Sequence, residues 1–527
     1  MVGLIPDLHN PSNLNIKLWV NSLEISKTYS IKSIVIGSGF AGIASALRLR
    51  SLGHEVTLIE RLDQLGGRAR TFRRGQYKHD AGPTVITAPF LFRELFELFD
   101  ERLDDHLEFV HLDPYYRFYF SESDQYFNYR ASIEDTKSEI ERFDSKDTKR
   151  YEELLAESKS IYDIGFKKLV HRPFISLYSM ISQVPALLRL KCYRTVWQMV
   201  SKHLKHPLIR KAFSIHPLLI GGNPFTTTSI YALIHYLERK WGVFFCMGGT
   251  GKLVSELENL MLRHDIKIIK NCDVKSIHKK DNKVISIDTG DDTNLIADNI
   301  VFAGDPEVCY RELLSEKPTS KLFEPKKTYS MGLYVLYFGT KVKFKNVAHH
   351  TIWMGKKYQS LLHDIFENKK LDDDFSLYLH RPTATDSSFA PEGHDSFYVL
   401  CPVPNLEGDI DWKTEGKVLA DKIIEALNQT IMPNLHECIE EVFWMTPQDF
   451  KDDYRSINGA GFSVEPKLTQ SAWFRFHNQH KKYKNLFFVG AGTHPGAGLP
   501  GVISSAKVMQ ELITGVEVGS GEPNDSK

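Results

Sequence analysis

The sequence predicts an α/β fold built on a Rossmann-type dinucleotide-binding domain. Three observations predict it. Gly37-x-Gly39-x-x-Gly42 follows an apolar strand and opens a helix. An acid, Glu60, stands at the end of the next strand. A second glycine-rich turn, Gly490 to Val502, lies between a strand and a helix near the C-terminus.

The elements follow in order. Ile31 to Ile36 reads as a short buried strand, Gly37 to Gly42 as a turn, Ile43 to Leu52 as a helix and Glu55 to Glu60 as a second strand, the start of a βαβ unit. From Ser138 to Ala212 the pattern is mainly helical. Short strands return from Asp265 to Val301, with turn signals at Asp281-Asn282 and Gly290-Asp291. Strand-like runs recur at Tyr329 to Phe338, Phe375 to Leu379 and Ser396 to Leu400. Lys417 to Ile431 reads as an amphipathic helix. The chain closes with a strand from Asn485 to Val489 and a helix from Pro500 to about Leu512. Met1 to Ser30 carries Pro6, Asn10, Pro11 and Asn13 and reads as a poorly ordered extension.

At 527 residues the chain has room for two or three domains. Basic and acidic residues balance at 66 each, so no basic excess points to nucleic acid. The six cysteines form no C-x-x-C pair, which argues against a thiolate metal site or a disulfide framework, and no metal is expected. No run of about 18 apolar residues suggests a membrane span, and the first thirty residues lack the pattern of a secretory signal.

The first motif carries its chemistry in its spacing. Gly37 permits the tight turn, Gly39 lets backbone approach a pyrophosphate, and Gly42 allows close packing of helix on strand. The helix N-terminus attracts phosphate charge, and Glu60 is placed to accept from a ribose hydroxyl. Gly66-Gly67-Arg68-Ala69 follows; a nicotinamide enzyme has no need of it, whereas a flavin enzyme places such an arginine near the pyrophosphate. The five glycines between Gly490 and Val502 bring backbone close to a ligand, and the helix start at Gly501-Val502 can stabilise negative charge on a reduced flavin. Together the three motifs predict FAD as the redox cofactor. Gly248-Gly249-Thr250-Gly251-Lys252 looks like a phosphate loop but lacks its spacing, because Leu253 follows the lysine; it reads as a turn opening a helix from Leu253 to Leu262.

Longer strings are more specific. Asp80-Ala-Gly-Pro-Thr-Val-Ile-Thr87, His216-Pro-Leu-Leu-Ile-Gly-Gly-Asn-Pro-Phe225, Ser229-Ile-Tyr-Ala-Leu-Ile-His-Tyr-Leu-Glu-Arg-Lys-Trp-Gly242, Ala348-His-His-Thr351, Asp374-Phe-Ser-Leu-Tyr-Leu-His-Arg-Pro382, Phe462-Ser-Val-Glu-Pro466 and Leu468-Thr-Gln-Ser-Ala-Trp-Phe474 resemble the bacterial-type phytoene desaturase family, over about Ile31 to Leu512.

The resemblance implies a Rossmann-type FAD-binding domain with flavin amine oxidase-like architecture and an inserted substrate and membrane-binding domain. It implies FAD-binding segments at residues 31–130, 241–310 and 476–515. A mainly helical substrate and membrane segment is expected at 131–240, a substrate domain at 311–475, an extension at 1–30 and a tail at 516–527. It implies stepwise desaturation of 15-cis-phytoene and partly desaturated carotenoids through to lycopene, or to an earlier desaturation product. The flavin would be reoxidised by a quinone or oxygen. The cofactor-binding set comprises Gly37, Gly39, Phe40, Ala41, Gly42, Glu60, Arg61, Gly67, Arg68, Thr84, Val274, Gly492, Thr493, Gly501 and Val502. Asp80, His235, Glu465 and His494 are the candidate proton acceptors. The string from Pro173 to Ser182 departs from the Arg-Asp pair and following Arg of some relatives, so no role for those charges carries over.

The substrate of such an enzyme lies in the bilayer, so the resemblance implies a peripheral protein on the cytoplasmic face of the cell membrane, in contact with membrane lipid. Ile164 to Leu237 contains no Asp or Glu and is the expected docking face, through Lys167, Lys168, Phe174, Leu177, Tyr178, Ile181, Arg189, Lys191 and Trp197. Three other readings stay open: a sister carotenoid enzyme (a C30 diapophytoene desaturase, a hydroxyneurosporene-type desaturase or a ketolase), a flavin amine oxidase, and a non-catalytic carrier of prenylated proteins. The last would share the Rossmann start but not need the C-terminal flavin motif.

Overall fold

A computed structural model describes residues 30–174, 176–290, 294–316 and 327–523. The expected extension, apart from Ser30, and the last four residues of the tail lie outside the described residues.

Lys32–Ile36 is apolar on both faces beyond its first two residues, which suits a strand buried on both sides. It pairs in parallel with Glu55–Ile59 on one side and Asn299–Phe302 on the other. Lys267–Ile269 and Leu486–Phe488 complete a five-stranded sheet at its two edges. The strands of this sheet thus come from three separated stretches of chain. The helix after the first strand runs from Phe40 to Ser51 and packs against the C-terminal helix Leu499–Thr514. It starts three residues earlier than the sequence suggests, because Gly39 already serves as its N-cap. Gly42 therefore sits inside the helix, where a Cβ would lie 2.0 Å from the Gly37 carbonyl oxygen.

A second sheet has seven strands, in the order Ile439–Met445, Gly332–Thr340, Asp395–Val403, Leu377–His380, His350–Met354, Tyr116–Phe120 and Gln125–Tyr129. All neighbours are antiparallel except His350–Met354 with Tyr116–Phe120. Its second strand, Gly332–Thr340, is buried throughout. Val335 and Tyr337 face a core shared with the helices of 145–214, while Tyr334, Leu336 and Phe338 face the helix Trp412–Asn428. This corrects one expected boundary. Tyr116–Phe120 and Gln125–Tyr129 belong to this sheet, so the first dinucleotide-binding segment ends before residue 130.

The helical stretch is also more broken than its pattern suggests. Ser145–Ile164 is a long helix capped by Asp144, whose side chain accepts from the Lys146 N–H at 2.9 Å. Beyond it come short helices, Leu177–Ile181, Val184–Arg189, Val196–His203 and Pro207–Ser214. Pro185 and Pro207 each sit at a helix start, where a missing N–H costs nothing, and so forbid continuation from the preceding turn. Among the described residues no helix is long and apolar enough to cross a membrane.

Candidate functional site: a dinucleotide cleft joined to an apolar cavity

Two cavities meet at the C-terminal ends of the five-stranded sheet. The smaller cleft is lined by Gly37, Ser38, Gly39, Glu60, Arg61, Gly67, Arg68, Val274, Asp305 and Gly492. The Gly37 N–H donates to the Ile59 carbonyl at 2.8 Å, and its φ of +96° is a turn that favours glycine. Glu60 is buried. It accepts from the Ser38 N–H at 2.9 Å, the Ser38 hydroxyl at 2.5 Å and the Leu62 N–H at 2.9 Å, which holds the glycine loop to the end of the second strand. A Cβ on Gly39 would meet nothing within 4 Å, because it points into open space shared by both cavities.

Arg68 lines both cavities and is deeply set. One guanidinium nitrogen donates to Ser456 Oγ at 2.7 Å, whereas Nε is buried with no protein partner. Burial depresses its pKa, and the neighbouring Asp305 opposes that. A half-buried cation with a buried, unused donor beside a glycine loop fits the pyrophosphate of FAD. When bound, FAD supplies the hydride acceptor.

The larger cavity, about 460 Å3, is walled almost wholly by apolar side chains. Gly39, Phe40, Ala41, Arg68 and Thr84 form one end together with the turn Gly490–Val502. The wall also takes in Leu333, Val335, Ile352, Met354 and Leu400 of the seven-stranded sheet and, beside His494 of that turn, Leu169, Phe174, Met180 and Leu187. Such a space binds by excluding water from apolar surface, worth about 25 cal/mol per Å2.

The structure separates the four candidate proton acceptors. Only His494 lines the cavity. Its Nε2 donates to the Leu169 carbonyl at 2.9 Å, and burial lowers its pKa to about 4, so the ring is neutral near pH 7. Asp80 lies behind the wall, where Oδ1 accepts from the Thr250 N–H at 3.1 Å. It thereby caps the helix Gly249–Arg263, which begins inside the glycine-rich decoy rather than after it. A carboxylate at a helix N-terminus is a structural anchor. His235 is packed against His216, ring centroids 4.2 Å apart, and is not in the cavity wall. Glu465 is buried outside the cavity beside Lys467, 3.1 Å away, and burial raises its pKa.

Four other expected residues are placed differently. Gly42 serves helix packing and lines neither cavity. The Thr493 hydroxyl donates to the Gly490 carbonyl at 3.0 Å, bracing the turn rather than facing the cleft. Phe174 is buried with Leu169 and Met180, its ring centroid 4.8 Å from that of His494, so it closes the cavity rather than facing outward. Trp197 is half-buried between Phe225 and the Arg210 guanidinium.

Sequence reasoning missed Glu238, the one carboxylate in the cavity wall among the described residues. It accepts from the Tyr116 hydroxyl at 2.7 Å and lies 3.0 Å from His216 Nε2. It also missed Arg475, a buried strut whose guanidinium donates to the carbonyls of Ala491 at 2.7 Å and Val464 at 2.8 Å. Both lie in or beside quoted strings, but nothing in spacing sets them apart from surface charges.

A Rossmann sheet with this cleft, opening into a long apolar cavity, defines a flavin-dependent oxidoreductase for a large apolar molecule. A family model for flavin-containing amine oxidoreductases matches residues 40–508. The chain is 42% identical to a lycopene-forming phytoene desaturase of Pantoea ananas, covering 91% of this chain and 98% of that one. It is 37% identical to a neurosporene-forming phytoene desaturase of Rhodobacter capsulatus, over 92% and 94%. The chain belongs to the flavin-containing amine oxidoreductases and, within them, to the bacterial-type carotenoid desaturases. Solved structures share the fold. Cyclohexylamine oxidase from Brevibacterium oxydans matches with a TM-score of 0.59 at 14% identity, covering 92% of this chain and 98% of that one. A Rab GDI from Plasmodium falciparum matches with a TM-score of 0.55 at 12% identity, covering 93% and 99%.

Proposed function

We propose that the chain desaturates 15-cis-phytoene stepwise to lycopene, with FAD bound in the cleft and the hydrocarbon in the apolar cavity. The observation that carries this reading is the junction of the two spaces: Gly39 and Arg68 line both, so one end of an apolar ligand reaches the flavin position. The relatives favour a lycopene product over shorter sequences of steps. Three lycopene-forming relatives are 41–42% identical, against 37% for neurosporene-forming and 30% for zeta-carotene-forming ones. Relatives named for C30 diapocarotenoid substrates are 28–30% identical.

In this reading each step removes a hydride from one carbon and a proton from its neighbour. The apolar wall excludes water from the cationic character that develops between them. Of the groups in the wall, the neutral His494 ring and the Glu238 carboxylate are the two that can take the proton. The Gly37–Gly42 loop, Glu60 and Arg68 would hold the adenosine and pyrophosphate, and the first turn of Leu499–Thr514 the flavin ring.

The reading extends to place. The short helices Leu177–Ile181 and Val184–Arg189 turn Met180, Gln183 and Leu187 towards the cavity, while Tyr178, Ile181 and Leu188 are more than half exposed. Lys168, Arg189 and Lys191 are exposed nearby. These exposed apolar and basic residues support the reading of a lipid-docking face beside the cavity; the reading then sets the protein on the cytoplasmic face of the membrane, with a quinone or oxygen as the terminal acceptor. Purified protein is to be incubated with FAD and phytoene-loaded liposomes, and the pigments separated by chromatography. Lycopene is the expected product. Accumulation of neurosporene or zeta-carotene would shorten the assigned sequence, and unchanged phytoene with flavin bound would reject it.

A further inference from the structure

Behind the cavity wall three imidazoles converge. His349 and His350 stand at the start of the strand His350–Met354, and His380 ends the strand Leu377–His380, directly opposite His350 in the register. All three are buried, at 6%, 0% and 1% exposure. Their ring centroids lie 4.6 Å (His349–His350), 4.9 Å (His349–His380) and 5.5 Å (His350–His380) apart.

What the rings do with their nitrogens is the informative part. His349 Nδ1 is 2.7 Å from Thr385 Oγ1, and His350 Nδ1 is 2.7 Å from the Tyr378 hydroxyl. Each ring is thus oriented from its far side. The Nε2 atoms of His349 and His350 and both nitrogens of His380 are buried with no hydrogen-bond partner. Asp80 Oδ2 is in the same condition, 3.7 Å from His380 Nε2, while its Oδ1 caps a helix. Unpartnered buried polar atoms are costly one at a time, and several at one point call for a common partner.

We propose that His349, His350 and His380 form a buried structural site for one divalent metal ion of the zinc type, with Asp80 Oδ2, 3.7 Å from His380 Nε2, drawn in as the fourth ligand on binding. Three imidazoles and a carboxylate are a borderline donor set suited to such an ion. One ligand atom from each ring lies within 4.8 Å of the others. Bonds of 2.0–2.1 Å in a tetrahedron need a spacing of about 3.3 Å, so binding draws the rings inward. Thr385 and Tyr378 supply the outer hydrogen bonds that fix such rings. None of the three histidines lines the cavity, so the ion would not touch substrate. It would staple the Asp80 segment to two strands of the seven-stranded sheet. Through Tyr378, whose hydroxyl also lies 2.9 Å from Thr84 Oγ1, it would fix the wall at the flavin end.

The test uses the untagged full chain with FAD bound, purified without chelator, and elemental analysis by mass spectrometry. About one zinc per chain is expected. After metal removal, titration with cobalt(II) should give tetrahedral visible bands to the red of the flavin absorbance. His349→Asn should lose both signals, and the exposed His363→Asn should keep them. If His349→Asn fails to fold, Thr385→Val serves, with zinc affinity expected to fall roughly 10- to 100-fold. A folded, flavin-loaded parent chain with no stoichiometric metal and no cobalt spectrum would overturn the assignment and leave water as the partner of these nitrogens.

Discussion

Glu238, in the cavity wall, stands 3.0 Å from His216, which lies outside it, both buried, with the Tyr116 hydroxyl donating to the same carboxylate at 2.7 Å. Replacing Glu238 with Gln keeps an acceptor for Tyr116 and should cost about 1 kcal/mol or less of stability. It removes the charge that can stabilise a substrate cation or take its proton, so turnover should fall about tenfold or more at unchanged flavin content. Glu238→Leu leaves two buried partners unmade and should lose roughly 3–5 kcal/mol in denaturant unfolding. Full turnover in the Gln variant would remove Glu238 from the reaction.

Gly39→Val should abolish flavin binding while leaving the fold intact. The added side chain meets no protein atom, so it does not strain the helix start, but it fills the space common to both cavities. Flavin absorbance after reconstitution, read beside circular dichroism, separates loss of cofactor from loss of fold.

Asp305 lies in the dinucleotide cleft, and burial raises its pKa to about 6. The folded chain therefore holds a proton that the unfolded chain releases. This contribution to stability is present below the ordinary carboxyl range and is lost as pH rises through about 6. A bound pyrophosphate adds negative charge nearby and favours the protonated form further. FAD affinity should thus fall as pH rises from about 5 to about 7, and Asp305→Asn should flatten that slope. Equilibrium titration of apoprotein with FAD across this range measures it.

Replacing Tyr178, Ile181 and Leu188 with Ser should weaken co-sedimentation with anionic liposomes at any salt. Replacing Lys168, Arg189 and Lys191 with Glu should weaken it most at low salt, by about tenfold or more. Flavin content should not change in either variant. Parent-like sedimentation of both would place the docking face elsewhere. Phe174, turned inward, is expected to affect turnover instead.

The first βαβ unit was legible because its signals are local: a strand, three glycines at fixed spacing and an acid determine each other within thirty residues. The ends of its elements shifted only where a cap decided them, as Gly39 does for the first helix. The cavity was legible only as a class of space, since no local pattern tells a Leu that faces a ligand from one that faces the core. The acids show the limit most clearly. Asp80 and Glu465 drew attention by their strings, yet one caps a helix and the other is buried beside a lysine outside the cavity. Glu238 drew none and faces the cavity, because which side of a helix is inward depends on strands that lie far along the chain. The histidine cluster was hidden for the same reason: His349-His350 and His380 become neighbours only through strand pairing.

The five-stranded sheet has a further consequence for how the chain is made. Its edge strand Leu486–Phe488 pairs with Asn299–Phe302, and the turn that follows it closes the flavin end of the cavity. Until the ribosome has released Leu486–Phe488 and the turn that follows it, the Asn299–Phe302 edge has no neighbour and the cofactor has no complete seat. Nascent chains of this protein should therefore dwell with an open β-edge and a bare greasy interior, the condition that invites misassociation and chaperone capture. Flavin supply during synthesis, rather than after it, should then govern how much of the protein is recovered in usable form.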